Sequence, residues 1–67
     1  MQNDIEKRII ELMKKDNRRD FTVPEIMKEL TITNRESVVA AVARLEGSKD
    51  IEESRRKGRT RYYRLKQ

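Results

Sequence analysis

The stretch that most constrains the fold is TNRESVVAAVARL, which runs from Thr33 to Leu45. Its larger apolar residues recur at i, i+4 and i+7, the spacing of one face of an α-helix: Val38, Val42 and Leu45. Thr33 and Glu36 have the spacing of a capping box, and Asn34 is an equally good N-cap, so either Thr33 or Asn34 can begin the helix. We therefore predict a helix over about 34–46 with one apolar face.

The opposite face of this helix carries unusually small side chains. Ala40 and Ala43 lie where a surface helix normally carries long polar side chains. A helix with an apolar face for a core and a smooth outer face can lie close against another surface.

Two further helices are predicted before it. The first covers about 4–15, with a cap at Asn3 or Asp4 and an inward stripe of Ile5, Ile9 and Leu12, with Met13 beside it. Ile10 lies off that stripe, either as an isolated exposed side chain or as part of a dimer seam.

The second helix covers about 24–30. Thr22 and Glu25 have capping-box spacing, and Pro24 suits a first helical turn. The connection Thr31-Ile32-Thr33 to the next helix is short, as in a helix-turn-helix, and Thr31 stands where glycine is usual.

The residues after the third helix predict a β-hairpin. Gly47 is a natural C-cap, and the segments 51–55 and 61–65 flank a loop that contains Gly58. Ile51, Tyr63 and Leu65 can share the core face of this hairpin, whereas Tyr62 can pack elsewhere, contact a phosphate or join a dimer interface. Residues 21–23 form a possible short strand at the edge of the hairpin.

Composition limits the function classes. The chain has 67 residues, which predicts one domain over 1–67, and it has no cysteine and no histidine. The usual catalytic base and the commonest metal ligands are therefore missing, and adjacent acids such as Glu52 and Glu53 point to opposite sides of a strand. We expect no enzyme, no cofactor, no metal and no small-molecule effector. No apolar run is long enough to span a membrane, and we expect a cytoplasmic protein.

Positive charge is concentrated in the second half of the chain. Residues 1–33 hold seven Lys or Arg and seven Asp or Glu, whereas residues 34–67 hold ten against five, which accounts for the net charge of +5. Seven basic residues and no acid lie between Arg55 and Lys66. A localised basic patch of this kind is typical of proteins that bind polyanions.

The segments LTITNRESVVAAVARLE and DIEESRRKGRTRYYRL resemble the winged helix-turn-helix family, in particular small prokaryotic repressors of the arsenic- and multidrug-resistance types. The likeness is carried by Arg44-Leu45-Glu46-Gly47 and by Tyr62 to Leu65, and it covers about residues 4–66. Minimal winged-helix proteins of archaeal plasmids and viruses are similarly short. The chain lacks the additional helices that such repressors use to dimerise and the cysteines or histidines with which some sense metals.

The resemblance implies a mainly α fold with a small hairpin, in which three helices precede a C-terminal wing. It also implies binding to double-stranded DNA, with the third helix in the major groove and the wing on the backbone or in the minor groove. We expect a transcriptional regulator that binds as a homodimer, because a single module of this size buries only about 600–1,000 Å² on DNA. The helix residues expected at DNA are Asn34, Arg35, Ser37, Ala40, Ala41 and Arg44, and the wing residues are Arg55, Arg56, Lys57, Arg59 and Arg61.

Individual roles are expected as follows. Arg35 can pair with guanine, and Ala40 can touch a thymine methyl group. Asn34 is either an N-cap or a contact to adenine, and Arg44 binds either a phosphate or a neighbouring acid.

Two other binding functions remain open. Winged helices also serve as protein-interaction modules, in which case the basic wing docks an acidic partner. Single-stranded nucleic acid is disfavoured because the chain has only three aromatic residues, Phe21, Tyr62 and Tyr63, and at least two of them are expected in the core.

Overall fold

Three helices are followed by an antiparallel hairpin in the computed structural model, which describes residues 4–66. The elements are α1 (Asp4–Lys15), α2 (Val23–Leu30), α3 (Arg35–Gly47), β1 (Ile51–Lys57) and β2 (Thr60–Leu65). This α+β arrangement is consistent with the predicted winged helix-turn-helix, and the helix ends agree with the prediction to within a residue. The suggested cap at Asn3 lies outside the described residues. Across residues 4–66, no helix combines the length and apolar character needed to cross a membrane.

The core is built from one face of each element. The buried apolar residues are Ile9, Met13, Phe21, Ile26, Val38, Ala41, Val42, Leu45, Ile51 and Tyr63. The predicted stripe on α3 is confirmed, whereas Ile5 and Leu12 of the α1 stripe are only partly buried. Ile10 is also partly buried and packs against the core, so it is not the isolated exposed side chain that was one of its two expected roles. Its place in a dimer seam stays a prediction.

The capping box that begins α2 is confirmed. The Glu25 N–H donates to Thr22 Oγ1 at 3.3 Å, and the Thr22 N–H donates to Glu25 Oε1 at 3.1 Å. Arg19 also donates to Glu25, at 2.6 Å, and this hydrogen bond lowers the pKa of the Glu25 carboxyl. The turn before α2 is therefore held to the first turn of that helix.

Helix α3 begins with the other of its two candidate caps. Asn34 Oδ1 accepts a hydrogen bond from the Ser37 N–H at 3.2 Å, so Asn34 is the N-cap. The capping box expected from Thr33 and Glu36 is absent, because the helix begins one residue later than that box requires.

Left-handed residues end α2 and α3. Thr31 ends α2 with φ 55° and ψ 46°, in the position where the sequence lacks the usual glycine. After α3, Lys49 has φ 67°, and Asp50 and Lys49 donate backbone hydrogen bonds to Leu45 and Glu46. This is the bonding pattern of a Schellman motif. Gly47 lies inside the helix, so its assignment as the C-cap is wrong.

The hairpin strands are longer than predicted, and two residues connect them. Gly58 has φ 61°, a value that suits the first position of a two-residue hairpin loop. Ser54 forms a bulge, since Glu53 pairs with Tyr63 and Arg55 pairs with Tyr62. The expected core face is confirmed for Ile51 and Tyr63, which are buried, and for Leu65, which packs against the core from a partly buried position.

A single residue in the segment before α2, Phe21, adds a third strand position to the hairpin. Phe21 and Tyr63 exchange backbone hydrogen bonds, each 2.7 Å long, so Phe21 acts as a single-residue strand at the free edge of β2. The possible strand over 21–23 is thus reduced to this one bridge. It fixes the hairpin relative to the start of α2 and hence relative to the helix-turn-helix.

Candidate nucleic-acid interface

The exposed surface of α3 has two flanks, one toward the hairpin and one toward α1. Arg35 and Val39 lie on the hairpin flank. The α1 flank carries Asn34, Ser37, Ala40 and Arg44. Ala41 is fully buried, so its expected contact with DNA is wrong. The reason is that Ala41 completes the i, i+3, i+4, i+7 pattern of the core stripe.

A cleft of about 450 Å³ separates α3 from the hairpin. Apolar side chains from α2 and α3 contribute to its wall, namely Val23, Pro24 and Val39. Three arginines also line it: Arg35 at the start of α3, and Arg59 and Arg61 in the hairpin. Residues that lie far apart in sequence therefore form one concave basic surface, which we call the α3–hairpin cleft.

Much of the positive charge of the hairpin is paired. Arg56 and Arg61 lie directly opposite each other on the two strands, and the carboxylate of Glu53 lies 3.3 Å and 3.6 Å from their respective guanidinium groups. Glu52 is 3.0 Å from Arg64 in the same way. The sequence places no acid between Arg55 and Lys66, but β1 brings two acids across from that run.

The side chain of Arg55 is held by two contacts within the protein, with Asp20 and with Tyr62. Its Nε atom lies 3.1 Å from Asp20 Oδ2, and its guanidinium carbon lies 4.2 Å from the centre of the Tyr62 ring. Asp20 also accepts a hydrogen bond from Ser54 Oγ at 2.9 Å. Arg55 and the bulge at Ser54 therefore anchor the base of the hairpin to the turn before α2, and Tyr62 serves as the stacking partner of Arg55.

Three of the side chains predicted to contact DNA are cations without an ion-pair partner among the described residues. Arg35, Lys57 and Arg59 are exposed, and within the described part of the chain no carboxylate lies within ion-pair distance of them. Lys57 and Arg59 flank Gly58 at the hairpin tip, and Arg35 lies at the start of α3. These three groups would meet a polyanion without breaking an internal ion pair.

The α1 flank is less available for contacts with bases. Arg44 lies 3.9 Å from Glu6, so the surface ion pair considered as its alternative role is present. The Asn34 oxygen is used by the cap, whereas a bidentate contact to adenine needs both the oxygen and the nitrogen of the amide. Ser37 and Ala40 are partly buried. This flank offers little beyond shape.

Sequence reasoning missed three contributors to this surface. Val39 lies beside the cleft and is 44% exposed. The adjacent pair Val38-Val39 indicates this exposure, since only one of two neighbouring residues can lie on the buried stripe of a helix. Glu53 could have been found from strand pairing once the bulge was known. Asp20 had no local signal, because its partners Ser54 and Arg55 lie in the distant hairpin.

Comparison with known proteins gave no relative on which to base a function. No protein-family profile matches the chain, and no curated protein and no solved structure shows significant similarity to it.

Proposed function

We propose that this chain binds double-stranded DNA and acts as a transcriptional regulator. In this proposal the first turns of α3 enter the major groove, and the hairpin tip contacts the phosphate backbone or the adjacent minor groove. The family resemblance favours a repressor, and the small surface of about 600–1,000 Å² that one copy can bury on DNA favours binding as a homodimer.

The observation that carries the proposal is the basic α3–hairpin cleft. Arg35, Arg59 and Arg61 converge on one concavity, and two of them have no internal carboxylate partner among the described residues. Clustered cations on a concave surface attract a polyanion and bind its phosphates with release of counterions. An α-helix also fits the major groove, and Ala40 and Ala43 keep the outer side of α3 narrow.

The ion pairs of the hairpin determine which cations matter most. Arg55 and Arg56 would have to leave Asp20 and Glu53 to bind phosphate, whereas Lys57 and Arg59 would not. Each phosphate contact contributes a slope of about −0.9 to the dependence of log K on log salt concentration. We therefore assign the salt-dependent part of binding chiefly to Lys57 and Arg59, and keep Arg35 as the candidate contact to a base.

The test is the salt dependence of binding to random-sequence duplex DNA, measured by fluorescence anisotropy. Replacement of Lys57 and Arg59 together by alanine is expected to make the slope of log K against log salt concentration less negative by about two units. The matched control replaces Lys14 and Lys15 by alanine. This variant loses the same two positive charges, but from the exposed end of α1. The control is expected to keep nearly the full slope.

Two outcomes would count against the proposal. Equal slopes for the two double variants would show that net charge alone attracts DNA and would remove the hairpin from the interface. No binding of the unaltered chain to duplex DNA at low salt would overturn the proposal, and an acidic protein partner would then be the better candidate for the same cations.

A further inference from the structure

Val39 is an apolar side chain where the fold does not need one. Among residues 4–66 it is the one large apolar side chain classed as exposed, at 44%, while Val38 and Val42 on either side of it are buried. It follows Arg35 by one helical turn, and both side chains line the α3–hairpin cleft. Its exposure therefore coincides with the surface proposed to bind DNA.

The surroundings of Val39 indicate what it contacts. Val39 has only Pro24 and the partly buried Val23 as apolar neighbours in the cleft wall. This is a small area, whereas an apolar docking surface for a protein usually needs a contiguous patch of several hundred Å². The cleft around it carries the guanidinium groups of Arg35, Arg59 and Arg61. A ligand that is polyanionic and also presents an apolar group suits this combination. In the DNA major groove that group is the C5-methyl of thymine.

We propose that Val39 reads the 5-methyl group of a thymine that lies close to the base contacted by Arg35. This inference rests on the proposed DNA-binding function and adds a specificity determinant to it. The two residues are separated by about 6 Å along the helix axis, since an α-helix rises about 1.5 Å per residue. Base pairs rise by about 3.4 Å, so the thymine lies within about two base pairs of the base that Arg35 contacts.

This assignment replaces the one expected from the sequence. Ala40 was expected to touch a thymine methyl, but it is partly buried on the flank that faces α1. Val39 faces the hairpin flank with Arg35, so a single approach of α3 presents a guanidinium and an apolar group side by side.

The test begins with selection of bound duplexes from a random DNA pool, followed by replacement of single thymines by deoxyuridine, which removes only the methyl group. The unaltered chain is expected to lose about fourfold in affinity at one thymine near the Arg35 contact, the equivalent of one buried methyl group. Val39→Ala is expected to bind the thymine duplex with a similar loss and to be insensitive to deoxyuridine at that position. Because Val39 is exposed, this variant keeps its fold, which circular dichroism would verify.

Deoxyuridine at the other thymines of the selected duplex is the internal control and is expected to change affinity little. If every thymine can be replaced without loss, or if Val39→Ala stays as sensitive as the unaltered chain, the inference is overturned while DNA binding stands. If the unaltered chain selects no duplex from the pool, the proposed function fails and the inference fails with it.

Discussion

Thr31 has a backbone conformation that β-branched residues rarely adopt. Its φ of 55° lies in the left-handed region, where a Cβ atom is crowded and a branched side chain is more crowded still. The position ends α2 and turns the chain into the connection to α3, so the geometry of the helix-turn-helix depends on it.

Thr31→Gly is expected to raise the free energy of unfolding by about 1 kcal/mol, because glycine adopts this conformation without steric cost. The measurement is urea denaturation followed by circular dichroism. Thr33→Gly in the same connection is the matched control, since Thr33 has no positive φ, and it is expected to be neutral or destabilising. A Thr31 variant no more stable than the unaltered chain would show that the strain is negligible.

Single residues also mark where sequence reasoning succeeds and where it fails. The pattern of Val38, Val42 and Leu45 gave the core face of α3 because burial follows helical periodicity. Ala41 fits the same pattern but was assigned to the surface, because alanine is small and its burial carries a weak signal. The cap of α3 required a choice between neighbours, which only the hydrogen bond from Ser37 decides.

At the scale of elements, the hairpin combines a strand pattern visible in sequence with a charge arrangement that is not. Its strands and its loop at Gly58 follow from local residue types, but the pairing of arginines with acids depends on register. The bulge at Ser54 sets that register, and its hydrogen bond to Asp20 comes from a turn far away in the chain. Charge counts along the sequence therefore overstate the free charge of the hairpin.

Glu53→Gln is expected to strengthen binding to duplex DNA several-fold at low salt. It is also expected to steepen the slope of log K against log salt concentration by about one to two units. The reason is that Arg56 and Arg61 lose their shared carboxylate and become available to phosphates. Stability is expected to change little, since the side chains of Arg56 and Arg61 are about half exposed and ion pairs open to solvent contribute little. Anisotropy titrations over a range of salt concentrations measure both quantities.

The control for Glu53→Gln is Glu11→Gln, which makes the same change in net charge on the exposed surface of α1. A smaller effect is expected there, because Glu11 forms no ion pair with the hairpin. Equal effects from the two variants would mean that Glu53 acts only through net charge and that the pairing with Arg56 and Arg61 does not restrain them.

At the scale of the whole molecule, few large apolar side chains among the described residues are fully exposed. Val39 is the one large apolar side chain classed as exposed within 4–66, and Ile10 packs against the core. A stable protein–protein interface commonly buries at least about 1,200 Å² and has an apolar centre. Two copies would therefore associate weakly on their own, and a duplex with two adjacent half-sites would hold them together.

The chain alone is therefore expected to sediment as a monomer at micromolar concentration. On a duplex with half-sites about one helical turn apart, two copies are expected per duplex. Analytical ultracentrifugation of the chain with and without duplex measures both states, and a duplex with a single half-site is the control. A stable dimer in the absence of DNA would contradict this expectation.

The paired hydrogen bonds between Phe21 and Tyr63 also bear on the order of folding during synthesis. Phe21 is buried against the core, yet its backbone partner lies in β2, the later of the two hairpin strands to leave the ribosome. The three helices emerge first, but the backbone N–H and C=O of Phe21 lack their Tyr63 partner until β2 is available. Because this contact joins distant parts of the chain, its closure carries a large entropic cost and comes late. Nascent chains arrested before Tyr63 would therefore retain helices yet remain sensitive to proteolysis near Phe21.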